Sequence, residues 1–261
     1  MNKKPTGGEH PLKRIAFALL LLSLVAAPGA QAAGMGLRWG SCEGSANRSF
    51  ACDRNTGTET LVASFSPPGG ITEVTGIEAY LHITVNGGSI PPWWQFYEGG
   101  TCRRYALSTV LDVSDQIECD DPWEGQGMGG IARYKNGGAN GIDMLVGVAI
   151  PDYQKHALTA GRTYAAFKLV IQHKNTSGPG ACTGCETPVC IAFERMIIAQ
   201  YTPPPHTEAT RGRNTEISLG LPASGNTPGN VATWQGGTAN CGAGLSRPSS
   251  WSQVKDRFRN R

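Results

Sequence analysis

Eight cysteines give this 261-residue chain its widest chemical choice: Cys42, Cys52, Cys102, Cys119, Cys182, Cys185, Cys190 and Cys241. Thiols can close as disulfides, hold zinc or cycle between redox states. Cys182-Thr183-Gly184-Cys185 is the one Cys-x-x-Cys. With Cys190 and Cys241 it could offer four thiolates to a zinc ion, and the same spacing serves thiol redox enzymes. A zinc site of this kind normally draws on two such pairs. A redox motif normally opens a helix, whereas Pro188 and a β-like run follow here. An even cysteine count behind an export signal reads instead as four disulfides. Proximity in sequence suggests Cys42–Cys52 and Cys102–Cys119. Cys241 then reaches back to Cys182, Cys185 or Cys190. Closing a loop of about fifty residues gives on the order of 4 kcal/mol in the chain-entropy picture.

Carboxylates crowd around Cys119: Asp112, Asp115, Glu118, Asp120 and Asp121, just before Pro122-Trp123. The cluster could offer oxygen ligands to calcium or a carboxylate pair beside an aromatic, and Glu118, Asp120 or Asp121 could then supply the acid and base of a hydrolase. The plainer reading is a polar loop whose Asp side chains start turns. Asp53-Arg54-Asn55-Thr56-Gly57-Thr58-Glu59 has the look of a calcium loop, but its glycine stands at position five rather than six, and it reads as a turn. Of His82, His156, His173 and His206, no two stand at ligand spacing. His82 falls on the outer face of an alternating strand and reads as solvated. There is no G-x-S-x-G, H-E-x-x-H, P-loop or dinucleotide fingerprint. No catalytic residue, metal site or cofactor is assigned.

Aromatic residues are the remaining lead. Trp93-Trp94-Gln95-Phe96-Tyr97 follows Pro91-Pro92, and Trp123 follows the acidic loop. Exposed indole or phenol faces stack on sugar rings and also anchor protein interfaces. Buried ones simply pack. If Trp93 and Trp94 lie on a strand they face opposite sides, one inward and one outward. Trp93, Trp94, Tyr97 and Trp123 are therefore the candidate ligand-binding residues. Asn47-Arg48-Ser49 and Asn175-Thr176-Ser177 are sequons, relevant only in a glycosylating host.

The elements that must hold these groups are strands. The 35 Gly and 17 Pro make about a fifth of the chain, against a usual ~12%, so a helical bundle is excluded. Runs at 60–65, 71–85, 105–113, 142–150, 163–172 and 189–201 read as strands, separated by Gly, Pro and Asn clusters. In the second run Ile77, Ala79, Leu81, Ile83 and Val85 alternate with Glu78, Tyr80, His82 and Thr84, which predicts one buried face. The fold class is all-β, an antiparallel sandwich of jelly-roll or Ig-like kind over residues 33–201. Residues 202–261 form a Pro/Gly-rich extension that wraps the sandwich, with a strand near Glu216–Leu219. A short terminal helix follows, carrying Trp251, Val254 and Phe258 on one face behind a Ser250/Gln253 capping box.

Residues 1–32 read as a signal peptide. Lys3, Lys4, Lys13 and Arg14 precede an apolar run from Ile15 to Ala27, and Ala30-Gln31-Ala32 is the cleavage site. The run is shorter than the ~20 residues needed to span a bilayer. Those four basic residues and Glu9 account for the formal charge of +3, and the remainder is neutral. A nucleic-acid partner would call for a basic excess, so none is expected.

Three segments resemble a group of exported bacterial proteins with no assigned activity. They are Trp93-Trp94-Gln95-Phe96, the run Cys182-Thr183-Gly184-Cys185-Glu186-Thr187-Pro188-Val189-Cys190-Ile191, and Ala232-Thr233-Trp234-Gln235-Gly236-Gly237. The resemblance implies a secreted, disulfide-bonded, β-rich protein and carries over no catalytic residue. The expectation is an exported, extracellular or periplasmic, non-enzymatic binding or surface protein, with a carbohydrate or cell-envelope ligand. The alternatives are a structural envelope component and an extracellular hydrolase using a carboxylate pair.

Overall fold

A computed structural model describes residues 33–85, 88–97, 101–138, 140–201, 214–218, 220, 229–236 and 241. The signal-peptide reading of 1–32, the Pro-rich run at 202–213 and the terminal-helix reading lie outside the described residues.

Strands dominate. They are β1 (Gly34–Trp39), β2 (Asn47–Arg48), β3 (Thr58–Ser66), β4 (Val74–Val85), β5 (Leu107–Val110), β6 (Met128–Gly138), β7 (Gly141–Ala149), β8 (Tyr164–Gln172), β9 (Val189–Gln200), β10 (Thr215–Ile217) and β11 (Val231–Trp234). Two 3-10 turns, Pro92–Trp94 and Asp152–Gln154, interrupt them. One sheet has the order β1-β3-β8-β5. The other has the order β2-β11-β9-β4-β7-β6, with β10 also on β9. Every pairing is antiparallel except β2 with β11. The all-β sandwich read from the sequence is what forms.

The alternation in β4 explains which face is inside. Ile77, Ala79, Leu81, Ile83 and Val85 are buried, while Glu78 is exposed and Tyr80 and Thr84 are half-buried. They meet Met35, Leu37, Leu61, Phe65, Phe167 and Leu169 in one core. Each Val, Leu, Ile, Met or Phe among them contributes about 1.5–3 kcal/mol by leaving water. Glu194-Arg195, which interrupts the apolar run of β9, has a local cause. Tyr80 pairs with Arg195 but Leu81 with Phe193, so Glu194 is the extra residue of a β-bulge. The bulge lets Phe193 and Met196, three apart, both point inward.

The disulfides differ from those suggested by proximity. Cys42 pairs with Cys119, Cys52 with Cys185, Cys102 with Cys182 and Cys190 with Cys241. The Cys42–Cys52 and Cys102–Cys119 pairs do not form. A sandwich brings loops from strands distant in sequence to one place, so closeness along the chain is a poor guide to partners. Cys182 and Cys185 go to different partners, so neither a zinc tetrathiolate nor a Cys-x-x-Cys bridge is made. Cys241 does reach back to one of the three expected cysteines. Four disulfides and no free thiol among the described residues fit an oxidising, exported setting.

The chain beyond Tyr201 contributes sheet. β10 pairs Glu216 with Ile197, within the stretch expected to add a strand. β11 pairs with β9 and with β2.

Candidate functional site

Trp93 and Trp94 lie in the 3-10 turn rather than on a strand. Side chains in such a turn are not placed on alternate faces, so the expected in-and-out split does not hold. Both indoles are fully buried. They join Trp39, Phe50, Phe96 and Trp234 in a cluster between the sheets. Trp234 is its centre, with ring centroids 4.2 Å from Phe50, 4.9 Å from Trp93, 5.5 Å from Trp94 and 5.8 Å from Trp39. Three of the indole N–H groups are used. Trp39 donates to the Thr233 carbonyl at 3.0 Å, Trp93 to Thr176 Oγ1 at 3.1 Å and Trp234 to the Cys185 carbonyl at 2.6 Å.

Trp123 is buried elsewhere, under β8, and donates to the Ala166 carbonyl at 2.7 Å. Tyr97 is half-buried against Tyr134 and donates to the Leu107 carbonyl at 3.0 Å. Burial pushes its phenol pKa up. None of the three tryptophans offers an open face to a sugar ring. The structure brings Trp93 and Trp94 together and leaves Trp123 and Tyr97 at other places.

Arg103 is the residue the sequence hides. Its guanidinium is fully buried, 3.4 Å above the Trp93 ring and 5.2 Å from Phe96. It donates to the carbonyls of Trp93 and Gln172. No carboxylate pairs with it among the described residues, and burial pushes its pKa down to about 9. Carbonyls and an indole face stand in for the missing anion. Arg103 thereby ties the Trp93–Trp94 turn to the end of β8. Nothing in Cys102-Arg103-Arg104-Tyr105 marks one arginine as buried and the next as exposed.

The acidic loop resolves into separate turns and ion pairs. Asp112 accepts from the Ser114 hydroxyl at 2.6 Å and its amide at 3.1 Å. Asp115 pairs with Lys168 at 2.7 Å and Asp120 with Arg162 at 2.6 Å. Asp121 accepts from the amides of Trp123 at 2.8 Å and Gly125 at 3.1 Å. Glu118 is exposed. Each of these Asp residues thus has a local task. No group of three or more His, Cys, Asp or Glu fit to hold a metal occurs among the described residues.

The Lys168 hydrogen bond holds the Asp115 carboxyl below its usual 3.8, and the Ser114 bonds do the same for Asp112. A lowered carboxyl pKa favours the fold above its ordinary value, and the benefit is lost as pH falls through the folded value. An NMR titration is expected to place Asp115 below 3.8, and Lys168→Met to move it upward.

The calcium-like stretch is a clip. Asn55 Oδ1 accepts from the amides of Thr176 at 2.7 Å and Ser177 at 2.9 Å. The Gly57 carbonyl takes the His173 amide, and Glu59 holds His173 Nε2 at 2.9 Å. The turn after β8 is thereby bound to the start of β3.

His82 corrects the expectation of a solvated side chain. It sits on the outer face of β4, yet it is only 8% exposed, and its Nδ1 lies 2.8 Å from Asp143 Oδ1 on β7. Against an ionised carboxylate Nδ1 carries the proton. Two glycines make the room. A Cβ at Gly137 would lie 2.6 Å from Asp143 Oδ1, and one at Gly141 2.8 Å from His82 Nε2. The usable signal was a lone Asp in the apolar run Ile142-Asp143-Met144-Leu145. Beside this pair, Arg195 lies 3.9 Å over the Tyr80 ring and 3.4 Å from Glu216. Burial, then the 2.8 Å bond to Glu78, push the Tyr80 phenol up to about 12.

Among the described residues the large apolar side chains that face solvent are Tyr105, Ile117, Met128 and Tyr153.

No family model and no curated protein matches the chain. Among solved structures it is similar to AvmM, which catalyses macrocyclization in alchivemycin A biosynthesis. The match has 11% identity, covers 76% of this chain and 92% of that one, and has a TM-score of 0.31, too low to equate the folds.

Proposed function

We propose that the chain is an exported, non-enzymatic binding or surface protein. The observation that carries this reading is the use made of its reactive groups. All eight cysteines are closed in disulfides. Asp112, Asp115, Asp120 and Asp121 act as turn acceptors and ion-pair partners. Such side chains build a rigid body and leave its surface to do the work. Among the described residues no helix is long and apolar enough to cross a membrane. A carbohydrate or cell-envelope ligand remains the favoured partner, contacted through residues other than Trp93, Trp94 and Trp123.

A structural envelope component is the second reading. It is favoured by the burial of those three tryptophans, which places their energy in the fold. Passing the oxidised protein over immobilised envelope and plant polysaccharides separates the two. Retention by at least one glycan is the expected result. Retention by none removes the binding reading, and co-sedimentation with cell-surface material or with itself then supports the structural one.

A further inference from the structure

Tyr105 is out of place by every requirement of the fold. Its φ is +66°, a left-handed conformation that crowds a bulky L side chain. Glycine or asparagine would take that backbone with less strain. The other positive-φ residues are readily accounted for: Gln235 holds Phe50 and Cys185 with its amide, Asn175 belongs to a type that tolerates the region, and Glu124 lies in an exposed turn. Tyr105 gains little from packing, since it is 63% exposed.

Its surroundings hold the conformation firmly. The Tyr105 amide donates to the Phe96 carbonyl at 3.0 Å, and the Ala106 amide to the Arg103 carbonyl at 3.0 Å. Buried Arg103 and the Cys102–Cys182 disulfide anchor the same loop. A strained residue kept in one geometry by its neighbours, with its aromatic ring in water, calls for a role outside the fold.

The chemistry around the ring narrows that role. The Arg104 guanidinium lies over one face of the Tyr105 ring, 4.6 Å from its centroid, so a ligand would meet the other face. The turn bearing exposed Lys174 is tied to this loop, because Asn175 Nδ2 donates to the Cys102 carbonyl. Neither Arg104 nor Lys174 has an ion-pair partner among the described residues. The Tyr105 ring, largely exposed and with one unpaired guanidinium against it, suits a single pyranose ring carrying a carboxylate. A protein interface asks for several anchors and about 800 Å² per partner. Guanidinium binds carboxylate through two parallel N–H donors.

We propose that Arg104 and Tyr105 form the contact point for an acidic glycan of the polyuronate class. The proposal rests on the binding reading above. The probe is polygalacturonate, with its neutral methyl ester and dextran as controls, followed by calorimetry and thermal unfolding of the oxidised protein. Wild type is expected to bind polygalacturonate in preference to both controls, more weakly as salt rises. Tyr105→Asn is expected to weaken binding about tenfold or more, with Tm unchanged or raised, because asparagine accepts the backbone. Arg104→Gln is expected to weaken binding and flatten the salt dependence.

Binding by Tyr105→Asn equal to wild type overturns the site while leaving the binding reading intact. A clear fall in Tm for Tyr105→Asn overturns it by giving the ring a structural role. Binding of the neutral glycans alone overturns the acidic class. No binding of polygalacturonate by wild type overturns the site, and retention by none of the envelope and plant polysaccharides removes the binding reading itself.

Discussion

Trp234→Ala is expected to destabilise the folded protein by about 3–5 kcal/mol. The indole touches Trp39, Phe50, Trp93 and Trp94, so its removal leaves a void with four ring-shaped walls. It also removes one of the two donors to the Cys185 carbonyl, leaving only the Gln235 amide. Rigid aromatic neighbours cannot collapse into such a space, which puts the cost at the upper end for a core truncation. For a domain of this size the fall in Tm is on the order of 10 °C. Urea unfolding under non-reducing conditions, followed by tryptophan fluorescence, measures it. A loss below about 1 kcal/mol would mean that the cluster is not packed as described.

Removing one disulfide is the other large effect. Cys52→Ser with Cys185→Ser opens a link across 133 residues. The chain-entropy picture assigns a loop of that length about 4–5 kcal/mol, and measured losses for native disulfides run about 2–5. Gln235 adds to the expected loss, because its amide bridges Phe50 and Cys185 beside the sulfurs. Denaturant unfolding gives the energy, and a thiol assay on the unfolded double variant gives the pairing. No free thiol is expected. Two free thiols would mean that Cys52 and Cys185 are not partners, as the proximity pairing requires.

How much of this was legible depends on the range of the interaction. Period-two patterning is local, so the inward face of β4 could be read from Ile77 to Val85 before any partner strand was known. The Asp-started turn at Asp121 was legible for the same reason, since side chain and amide lie two residues apart. The pairing of Cys52 with Cys185 was not, because it is fixed by how two sheets stack. Trp93 and Trp94 misled because Pro92 opens a 3-10 turn where a strand would have separated their faces. His82 and Asp143 are 61 residues apart and meet only through strand register, so their pairing left no trace beyond an unexplained aspartate. Arg103 is legible least of all. Its burial is set by an indole face and two carbonyls, and none of these carries a charge that sequence would reveal.

The parallel contact of β2 with β11 bears on when the chain can finish folding. Asn47 meets Thr233 across 186 residues, and Trp39 reaches the Thr233 carbonyl across 194. A polypeptide emerging amino-end first therefore holds β2 and the Trp39 indole N–H without their β11 partners until nearly all of it has been delivered. Contacts of such long range are slow to form, because chain entropy must be lost before they return anything. The pairings of β11 with β2 and β9 can close only after the last described strand has arrived. Topology of this kind suits a protein that must cross a barrier unfolded and become rigid on the far side.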